Sequence, residues 1–518
     1  MVTENKQKDI AANNKRIAKN TLMLYIRMLF MMGVSLFTSR VILQTLGVED
    51  YGIYNVVGGI ITMFTFINSA MISATQRYIT FALGQNDLER LRRVFSTSLQ
   101  IHALISLIIV ILGETVGLWF LYEKMIIPES RMTAALWVYQ CSILACIITI
   151  MSVPYNAAIV AHEKMSAFAY ISILEVSLKL AIVYLLLVIP FDKLIIYAIL
   201  MFVVQLLVRF VYANYCSKHF EESKYQHFID KPLLKEMSGF AGWSFWGSFS
   251  VLCCNQGVNL LLNTFYGPVV NAARGIATTI QAAVNNFSSN FQVALNPQII
   301  KTYAVGNLEE HRKLILVSAK FSALMLMIIS LPILLDTGNL LNLWLGEVPD
   351  HTINFVRIIL VISIWDSTAY PLATSVQATG RVKKYQLYIG SVILLIIPVS
   401  YVVFQFYLIP ELALLVHLFV AILAQLTRLW FVRNYVQVSI RQFIQQVYTP
   451  LIFSFVLSLI PTYYILEYLP QNGFLRLVLV SVISILLSLS VTYIIALNRS
   501  ERKFLHQAMH KLIVKIKK

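Results

Sequence analysis

Residues 21–46 have the sequence TLMLYIRMLFMMGVSLFTSRVILQTL, and residues 51–83 have the sequence YGIYNVVGGIITMFTFINSAMISATQRYITFAL. Both segments exceed the roughly 20 apolar residues that cross a bilayer as a helix, so both predict transmembrane helices. The second segment also carries polar residues at spacings of 7, 7, 4 and 3, which place them along one helical stripe: Asn55, Thr62, Ser69, Ser73 and Gln76. One side of this helix is therefore predicted to face water or protein.

The composition is that of a polytopic membrane protein. Of its 518 residues, 58% are hydrophobic and 13% are charged, whereas a soluble domain has about 25% charged residues. The net charge of +16 does not indicate nucleic-acid binding, because the basic residues recur in short loops between apolar runs, a pattern that indicates contact with membrane lipids. The five cysteines lack metal-ligand spacing and no nucleotide-binding motif is present, so we predict no metal site and no cofactor.

Apolar runs and polar breaks predict an all-α protein with fourteen transmembrane helices. We expect a basic N-terminal segment, a first half with six helices, a linker, a second half with six helices, a C-terminal helix pair and a basic amphipathic tail at the inner interface. These parts cover, in order, residues 1–19, 20–218, 219–237, 238–435, 447–497 and 498–518. The predicted inner segments hold 29 Lys and Arg residues and the outer ones three, so both termini are predicted to be cytoplasmic.

The two six-helix halves repeat each other. Leu88-Glu89-x-x-Arg92-Arg93 matches Leu308-Glu309-x-x-Arg312-Lys313 at an offset of 220, and Pro154 and Ala161 match Pro371 and Ala378 at an offset of 217. Six crossings return the chain to its starting side, so the halves are predicted to be parallel and related by an axis along the membrane normal, as in one class of transporters.

Two further predicted helices carry polar stripes. The seventh has Ser244, Ser248, Asn255, Asn259 and Asn263, and the eighth has Gln281, Asn285, Ser288, Gln292 and Asn296. Hydrogen bonds between packed helices are the alternative explanation, but they need only one or two such groups in each helix. Five polar groups in register favour a water-filled lumen.

Nine basic residues lie inside predicted crossings, where each costs about 2.5 to 3.5 kcal/mol to insert at the centre. They are Arg27, Arg40, Arg77, Lys179, Arg209, Arg274, Lys320, Arg357 and Arg476. Five of them lie near enough to a helix end for their side chains to reach the interface, which is the interpretation we favour for Arg77, Arg209, Lys320, Arg357 and Arg476. Lys179 lies mid-helix and either pairs with Glu175 one turn away or meets an anionic substrate.

Cations outnumber carboxylates in the first eight crossings, which predicts an anionic substrate. The candidate substrate-binding residues are Arg27, Arg40, Arg77, Lys179, Arg274, Asn255, Asn259, Gln281 and Asn285. Asp366 lies midway along the tenth helix, and either bonds to another helix or couples transport to a proton or sodium gradient; Glu175 is the second ion-coupling candidate, and His417 is a weaker one.

Three short motifs resemble Wzx-type oligosaccharide flippases of the multidrug/oligosaccharidyl-lipid/polysaccharide (MOP) exporter superfamily. They are LGVEDYGIY at 46–54, QRYI at 76–79 and ATGRVK at 378–383. The resemblance covers roughly residues 20–435 and implies a V-shaped pair of six-helix lobes around a cation-lined cavity, with the first, second, seventh and eighth helices lining it. It also implies alternation between inward-open and outward-open states.

The cargo that this resemblance implies is a polyprenyl-pyrophosphate-linked oligosaccharide for surface polysaccharide such as O-antigen or capsule. The implied location is the bacterial cytoplasmic membrane, and the implied partners are glycosyltransferases and a polysaccharide polymerase. One departure concerns the end of the fourth helix, where Ala161-His162-Glu163 replaces the Ala378-Thr379-Gly380 of the second half. Because the first half lacks this glycine, we do not expect the two halves to hinge alike.

Two other functions are compatible with the sequence. A drug or cation exporter of the same superfamily would favour acidic over basic lumen residues. A membrane enzyme, such as a glycan polymerase or acyltransferase, would need acid and base groups in a sizeable outer loop. The longest predicted outer loop, 336–352, is short, and its Asp336, Glu347, Asp350 and His351 suit a solvated acidic loop better. We therefore expect a transporter and not an enzyme.

Overall fold

The computed structural model describes residues 20–34, 65–123, 127–224, 230–466 and 473–499, together with short pieces between 37 and 57 and single positions at 125, 468, 470, 501 and 502. Within these residues the chain is helical and contains no strand. Helices suit a membrane protein because they satisfy every backbone hydrogen bond within one segment. The predicted N-terminal segment 1–19, most of the tail beyond 502, and Arg40, Asn55 and Thr62 lie outside the described residues.

The long helices of the described residues are numbered α1 to α14 here. Their bounds are Asn20–Val34, Thr65–Gly84, Leu88–Glu123, Glu129–Ala161, Met165–Val188, Lys193–His219, Lys231–Tyr266, Pro268–Ala304, Leu308–Leu335, Thr352–Thr379, Val382–Phe406, Leu412–Val436, Ile440–Leu466 and Phe474–Ala496. A short helix, Thr337–Leu345, lies between α9 and α10.

Ten of these helices, α3 to α6 and α9 to α14, are long and apolar enough to cross a membrane, with a mean hydropathy between 1.4 and 2.5. The described part of α1 is a shorter apolar helix. The other three, α2, α7 and α8, have 20, 36 and 37 residues but are more polar. They are the helices to which the sequence assigns polar stripes. The prediction of an all-α polytopic membrane protein is confirmed.

The chain forms two compact units. The first comprises Met1–Phe249, Val293–Asn307 and Gln377–Leu387, and the second comprises Ser250–Gln292, Leu308–Val376 and Tyr388–Lys518. The first unit therefore contains the first half of the sequence repeat and also short pieces of the second half. The predicted domain boundaries stay a prediction, because units defined by contacts do not test them.

In the first unit, α4 packs against α2, α3 and α6. Phe95 of α3 meets Tyr155 of α4 edge to face, with ring centroids 5.2 Å apart. At the opposite end of α4, Arg131 binds both Asp50 and Asp192, the latter at 2.6 Å. Burial raises the pKa of Asp192, but hydrogen bonds from Arg131 and two backbone N–H groups outweigh burial and hold this pKa below its usual value.

In the second unit, α9 packs against α10 and α14. Lys320 of α9 is buried, and its Nζ lies 2.7 Å from the Glu501 carboxylate and 3.1 Å from the carbonyl of Ala496. Arg476 likewise lies 2.8 Å from the Asp336 carboxylate. Each cation pairs with a carboxylate that is distant in sequence, and the prediction that both side chains reach the interface stays a prediction. The interpretation of Asp336 as a solvated acidic group is wrong, since this carboxylate is buried and also accepts from Asn339.

Candidate functional site

The second unit brings Arg274 of α8 against Asn255 and Asn259 of α7. Arg274 Nη1 donates to the backbone carbonyl of Asn255 at 2.9 Å and to the side-chain oxygen of Asn259. The spacing of four residues puts both asparagines on one face of α7. Arg274 is only 3% exposed and its Nε has no hydrogen-bond partner. Three residues of the predicted substrate set therefore lie in one group.

The next polar residues of α8 divide into a partly exposed pair and a buried pair. Gln281 and Asn285 are partly exposed, and Gln281 donates to Ser363 of α10 at 3.0 Å. Gln292 is buried instead, and it donates to Ser288, to Ser322 of α9 and to the carbonyl of Ser367. Interhelical hydrogen bonding, the alternative explanation of the stripe, thus applies to Gln281 and Gln292. A lumen beside Gln281 and Asn285 stays a prediction.

Arg27 of α1 is a cation of the first unit. Its guanidinium lies 4.4 Å from the centroid of the Phe168 ring and forms a long hydrogen bond of 3.5 Å to Ser172. The Nε atom has no hydrogen-bond partner. Arg27 therefore has an N–H donor without a hydrogen-bond partner, as Arg274 does. Unlike Arg274, Arg27 is partly exposed.

Lys179 is paired with Glu175. Lys179 Nζ lies 2.6 Å from the Glu175 carboxylate, which also accepts from Gln205 of α6 at 3.2 Å. Of the two interpretations of Lys179, the structure contains the intrahelical pair. The roles of Lys179 in substrate binding and of Glu175 in ion coupling stay predictions, and each would require this pair to separate.

Arg77 of α2 binds backbone carbonyls. Its Nε donates to Gln377 at 3.2 Å and its Nη2 to Ala378 at 3.3 Å, at the end of α10. The rings of Tyr78 and Phe81 lie 4.4 and 4.9 Å from the guanidinium carbon. Arg77 is 5% exposed, and the prediction that its side chain reaches the interface stays a prediction. A role in substrate binding stays a prediction, as it does for Arg40.

Asp366 of α10 is partly exposed and forms no hydrogen bond or ion pair with any residue that the structure describes. Arg428 and His417 of α12 lie within electrostatic range of its carboxylate, and His417 is also within range of Arg274. Next to it, Trp365 stacks on Tyr448 with centroids 4.7 Å apart. Of the two interpretations of Asp366, a direct bond to another helix is absent here, while ion coupling stays a prediction.

Sequence reasoning missed the residues that complete these groups. Ser172, Gln205 and Ser363 hold Arg27, Glu175 and Gln281 in place. Each is an isolated polar residue in an apolar helix, so no periodic pattern marks it. Only the packing of one helix on another selects such residues.

Solved structures of transporters have the same fold. A multidrug resistance MATE family transporter of the MOP superfamily, in its outward-facing conformation, is 13% identical to this chain, with a TM-score of 0.71 over 81% of this chain and 96% of that one. A MATE crystal structure in the bent conformation gives a TM-score of 0.73 at 13% identity, over 82% and 96% of the two chains.

A third similar structure is a MOP superfamily transporter from Pyrococcus furiosus, with a TM-score of 0.68 at 13% identity over 81% of this chain and 96% of that one. No protein-family model matches the sequence. No curated protein matches it either. At these identities the likeness concerns the fold alone: the chain has the fold of MATE transporters of the MOP superfamily.

Proposed function

We propose that this protein translocates a polyprenyl-pyrophosphate-linked oligosaccharide across the bacterial cytoplasmic membrane by alternating access, for the synthesis of surface polysaccharide. The observation that carries this proposal is Arg274. Its guanidinium is buried among amide groups, and within the described residues no carboxylate pairs with it. A buried cation without a counter-ion is costly to maintain. The simplest explanation for the buried Arg274 cation is that an anionic ligand supplies its counter-ion.

The chemistry of these groups suits a pyrophosphate with a sugar attached. A guanidinium binds phosphate oxygens through parallel N–H donors, and the unused Nε of Arg274 leaves part of this fork available. The amides of Asn255, Asn259, Gln281 and Asn285 offer both donors and acceptors, which sugar hydroxyls require. Arg27 of the first unit is proposed separately as a second phosphate-binding cation.

The other candidate cations would bind substrate only under further conditions. Arg77 and Lys179 would bind substrate only after exchanging their present partners, which are two carbonyls and the Glu175 carboxylate. Arg40 enters on its sequence position alone. The proposed partners are membrane lipids, the glycosyltransferases that build the cargo and a polymerase that consumes it.

A drug or cation exporter is the second candidate, and the fold fits it equally well. Asp366 favours it, because a partly exposed carboxylate without a bonded partner suits a cationic ligand. The similar transporter from Pyrococcus furiosus is described as having a binding pocket of reverse polarity that suggests a different function. We infer that pocket charge separates the two candidates. A glycan polymerase or acyltransferase is not favoured, since proteins with this fold are transporters and Asp336 is occupied structurally.

Expression of the chain in a host that lacks its own oligosaccharide flippase is expected to restore surface polysaccharide and to leave drug sensitivity unchanged. The reason is the cationic character of the proposed site. Surface glycan is measured by staining and by blotting of cell envelopes, and drug sensitivity by growth inhibition of the same cells. A gain of drug resistance without any surface glycan would instead support the second candidate.

We also propose Asp366 as the group that couples transport to a proton or sodium gradient. Asp366→Asn is expected to lower gradient-driven transport into proteoliposomes about tenfold while exchange without a gradient continues, because the amide cannot change its charge. The groups that act on Asp366 from α12, His417 and Arg428, remain in place. Glu114→Gln is the matched control, since Glu114 is an exposed carboxylate of α3. Equal gradient dependence in the D366N variant and the wild type would contradict the proposal.

A further inference from the structure

The turns that follow α4 and α10 each contain one residue with a positive φ. Glu163 has a φ of +59° and Gly380 has a φ of +75°, and the repeat places them at equivalent positions. Residues with a Cβ seldom adopt this left-handed conformation, whereas glycine adopts it readily. The missing glycine of the first half therefore does not remove the left-handed residue from its turn. Glu163 keeps the turn and adds a side chain where the second half has none.

The turn after α10 is held by Arg77. The carbonyls of Gln377 and Ala378 lie at the end of α10, where helical carbonyls lack intrahelical partners and the helix dipole is negative. Arg77 donates to both, and Ser73, one turn earlier on α2, donates to the Gln377 side chain at 3.0 Å. A Cβ at Gly380 would lie 2.7 Å from Arg77 Nη2. The glycine thus permits the close approach of the guanidinium.

In the turn after α4 the charged residue belongs to the turn itself and is an anion, whereas the turn after α10 is bound by a cation from another helix. Here the turn supplies the anion: the Glu163 carboxylate accepts from Gln298 and, at 2.7 Å, from Lys301, both on α8. Asn20 of α1 donates to the backbone carbonyl of Glu163 at 3.2 Å. Glu163 is 5% exposed. An apolar cluster lies beside this contact and consists of Leu24, Val160, Met165 and Ala294.

A third contact lies between these two. A Cβ at Gly84, the last residue of α2, would lie 2.7 Å from the Cβ of Ala304, the last residue of α8. These residues are 220 apart, which is the repeat offset of residues 88–93 and 308–313. All three contacts join the first half of the repeat to the second. They lie within the first compact unit.

We propose that these three contacts form a latch that must open in the proposed transport cycle. The latch comprises Arg77 with Gln377 and Ala378, Glu163 with Gln298 and Lys301, and Gly84 with Ala304. The inference rests on the proposed function, because alternating access requires the two halves to separate at the predicted cytoplasmic ends of α2 and α8.

The chemistry of the latch suits a contact that opens repeatedly. Buried charges lose hydration when the contacts close and regain it when they open, so the net stability of such a contact is small. An apolar seam of equal area would resist opening more strongly, because it gains nothing from water. Opening would also free Arg77 from its two carbonyls.

The latch can be tested by the accessibility of position 294. Ala294 is 0% exposed and packs against Leu24, Val160 and Met165. The reporter is Ala294→Cys in a full-length chain whose five native cysteines are replaced by serine. A membrane-impermeant maleimide is added to inside-out and to right-side-out vesicles, and the labelling rate is measured. The result expected for the reporter alone is slow labelling from both sides.

Glu163→Gln is expected to raise the labelling rate about tenfold in inside-out vesicles only, because it removes the charge that pairs with Lys301. Lys301→Met should act alike, and the exchange of charges, E163K with K301E, should restore slow labelling. Glu222→Gln is the matched control. Glu222 is also a buried carboxylate and binds His162 of the same turn, but this contact joins the first half to the linker and does not involve the second half.

Equal labelling rates in the E163Q and E222Q variants, at equal amounts of protein in the membrane, would overturn the latch. Labelling requires no substrate, so this test is independent of the cargo. Faster labelling of the E163Q variant in a chain that exports no glycan would support the latch and contradict the proposed function. Unchanged labelling of the E163Q variant in a chain that exports glycan would contradict the latch and support the proposed function.

Discussion

Replacement of Arg274 by methionine is expected to reduce glycan export about 100-fold while the amount of protein in the membrane stays near that of the wild type. A charge-assisted hydrogen bond pair contributes about 2 to 3 kcal/mol, and each 1.4 kcal/mol corresponds to about a tenfold change in affinity. Arg274→Lys keeps the charge but loses the planar fork, so we expect an intermediate loss of about tenfold. Export is measured as surface glycan per unit of membrane-inserted protein in the flippase-deficient host.

Arg357→Met is the matched control for Arg274. Arg357 is also a basic residue inside a helix of the second unit, but its only described hydrogen bond is a long one, 3.4 Å from Nε to the hydroxyl of Thr337. Its removal should change export by less than about twofold, because the bond is long and Arg357 is exposed to solvent. Wild-type export by the R274M variant, or an equal loss in the R357M variant, would contradict the assignment of Arg274 to substrate binding.

Gly380→Val is expected to destabilise the protein by about 2 to 4 kcal/mol, seen as a lower melting temperature after purification in detergent. Two causes add together. A β-branched residue is strained at a φ of +75°, and its Cβ would lie 2.7 Å from Arg77 Nη2. The Arg77 guanidinium would have to leave the carbonyls of Gln377 and Ala378 to make room.

Gly306→Val separates the two causes. Gly306 has a φ of +80°, and a Cβ at this position would meet no atom within 4 Å. This variant therefore carries the backbone strain without the contact, and we expect a smaller fall in melting temperature than for the G380V variant. Equal falls in the two variants would show that Arg77 does not press on position 380. Melting is followed by the fluorescence of a thiol-reactive or tryptophan probe at equal detergent concentration.

Much of the fold could be predicted because a bilayer acts on each segment separately. A helix such as α6 or α14 is recognised by its length and hydropathy alone. The same solvent argument singled out α2, α7 and α8, whose polar stripes lower their hydropathy. The contact of Arg274 with Asn255 and Asn259 was not predicted, because it joins two helices.

The sequence predicted the ion-pair partner of a charged residue only where the two residues are close in sequence. The pair of Glu175 with Lys179 is four residues apart, so the sequence offered it as an alternative. Lys320 and Glu501 are 181 residues apart, so no local pattern predicted this pair. Asp336 was taken for a solvated group for the same reason, since its partner, Arg476, is 140 residues away.

By itself, then, the sequence determined that the chain is a helical membrane protein built from a repeat, with cations in its polar helices, because hydropathy and spacing are properties of single segments. Only the tertiary structure decided which of those cations are neutralised. It showed Arg77 bound to carbonyls and Glu163 in the place of a glycine, bound to Lys301. Such contacts depend on which helix ends meet, and no local pattern encodes that meeting.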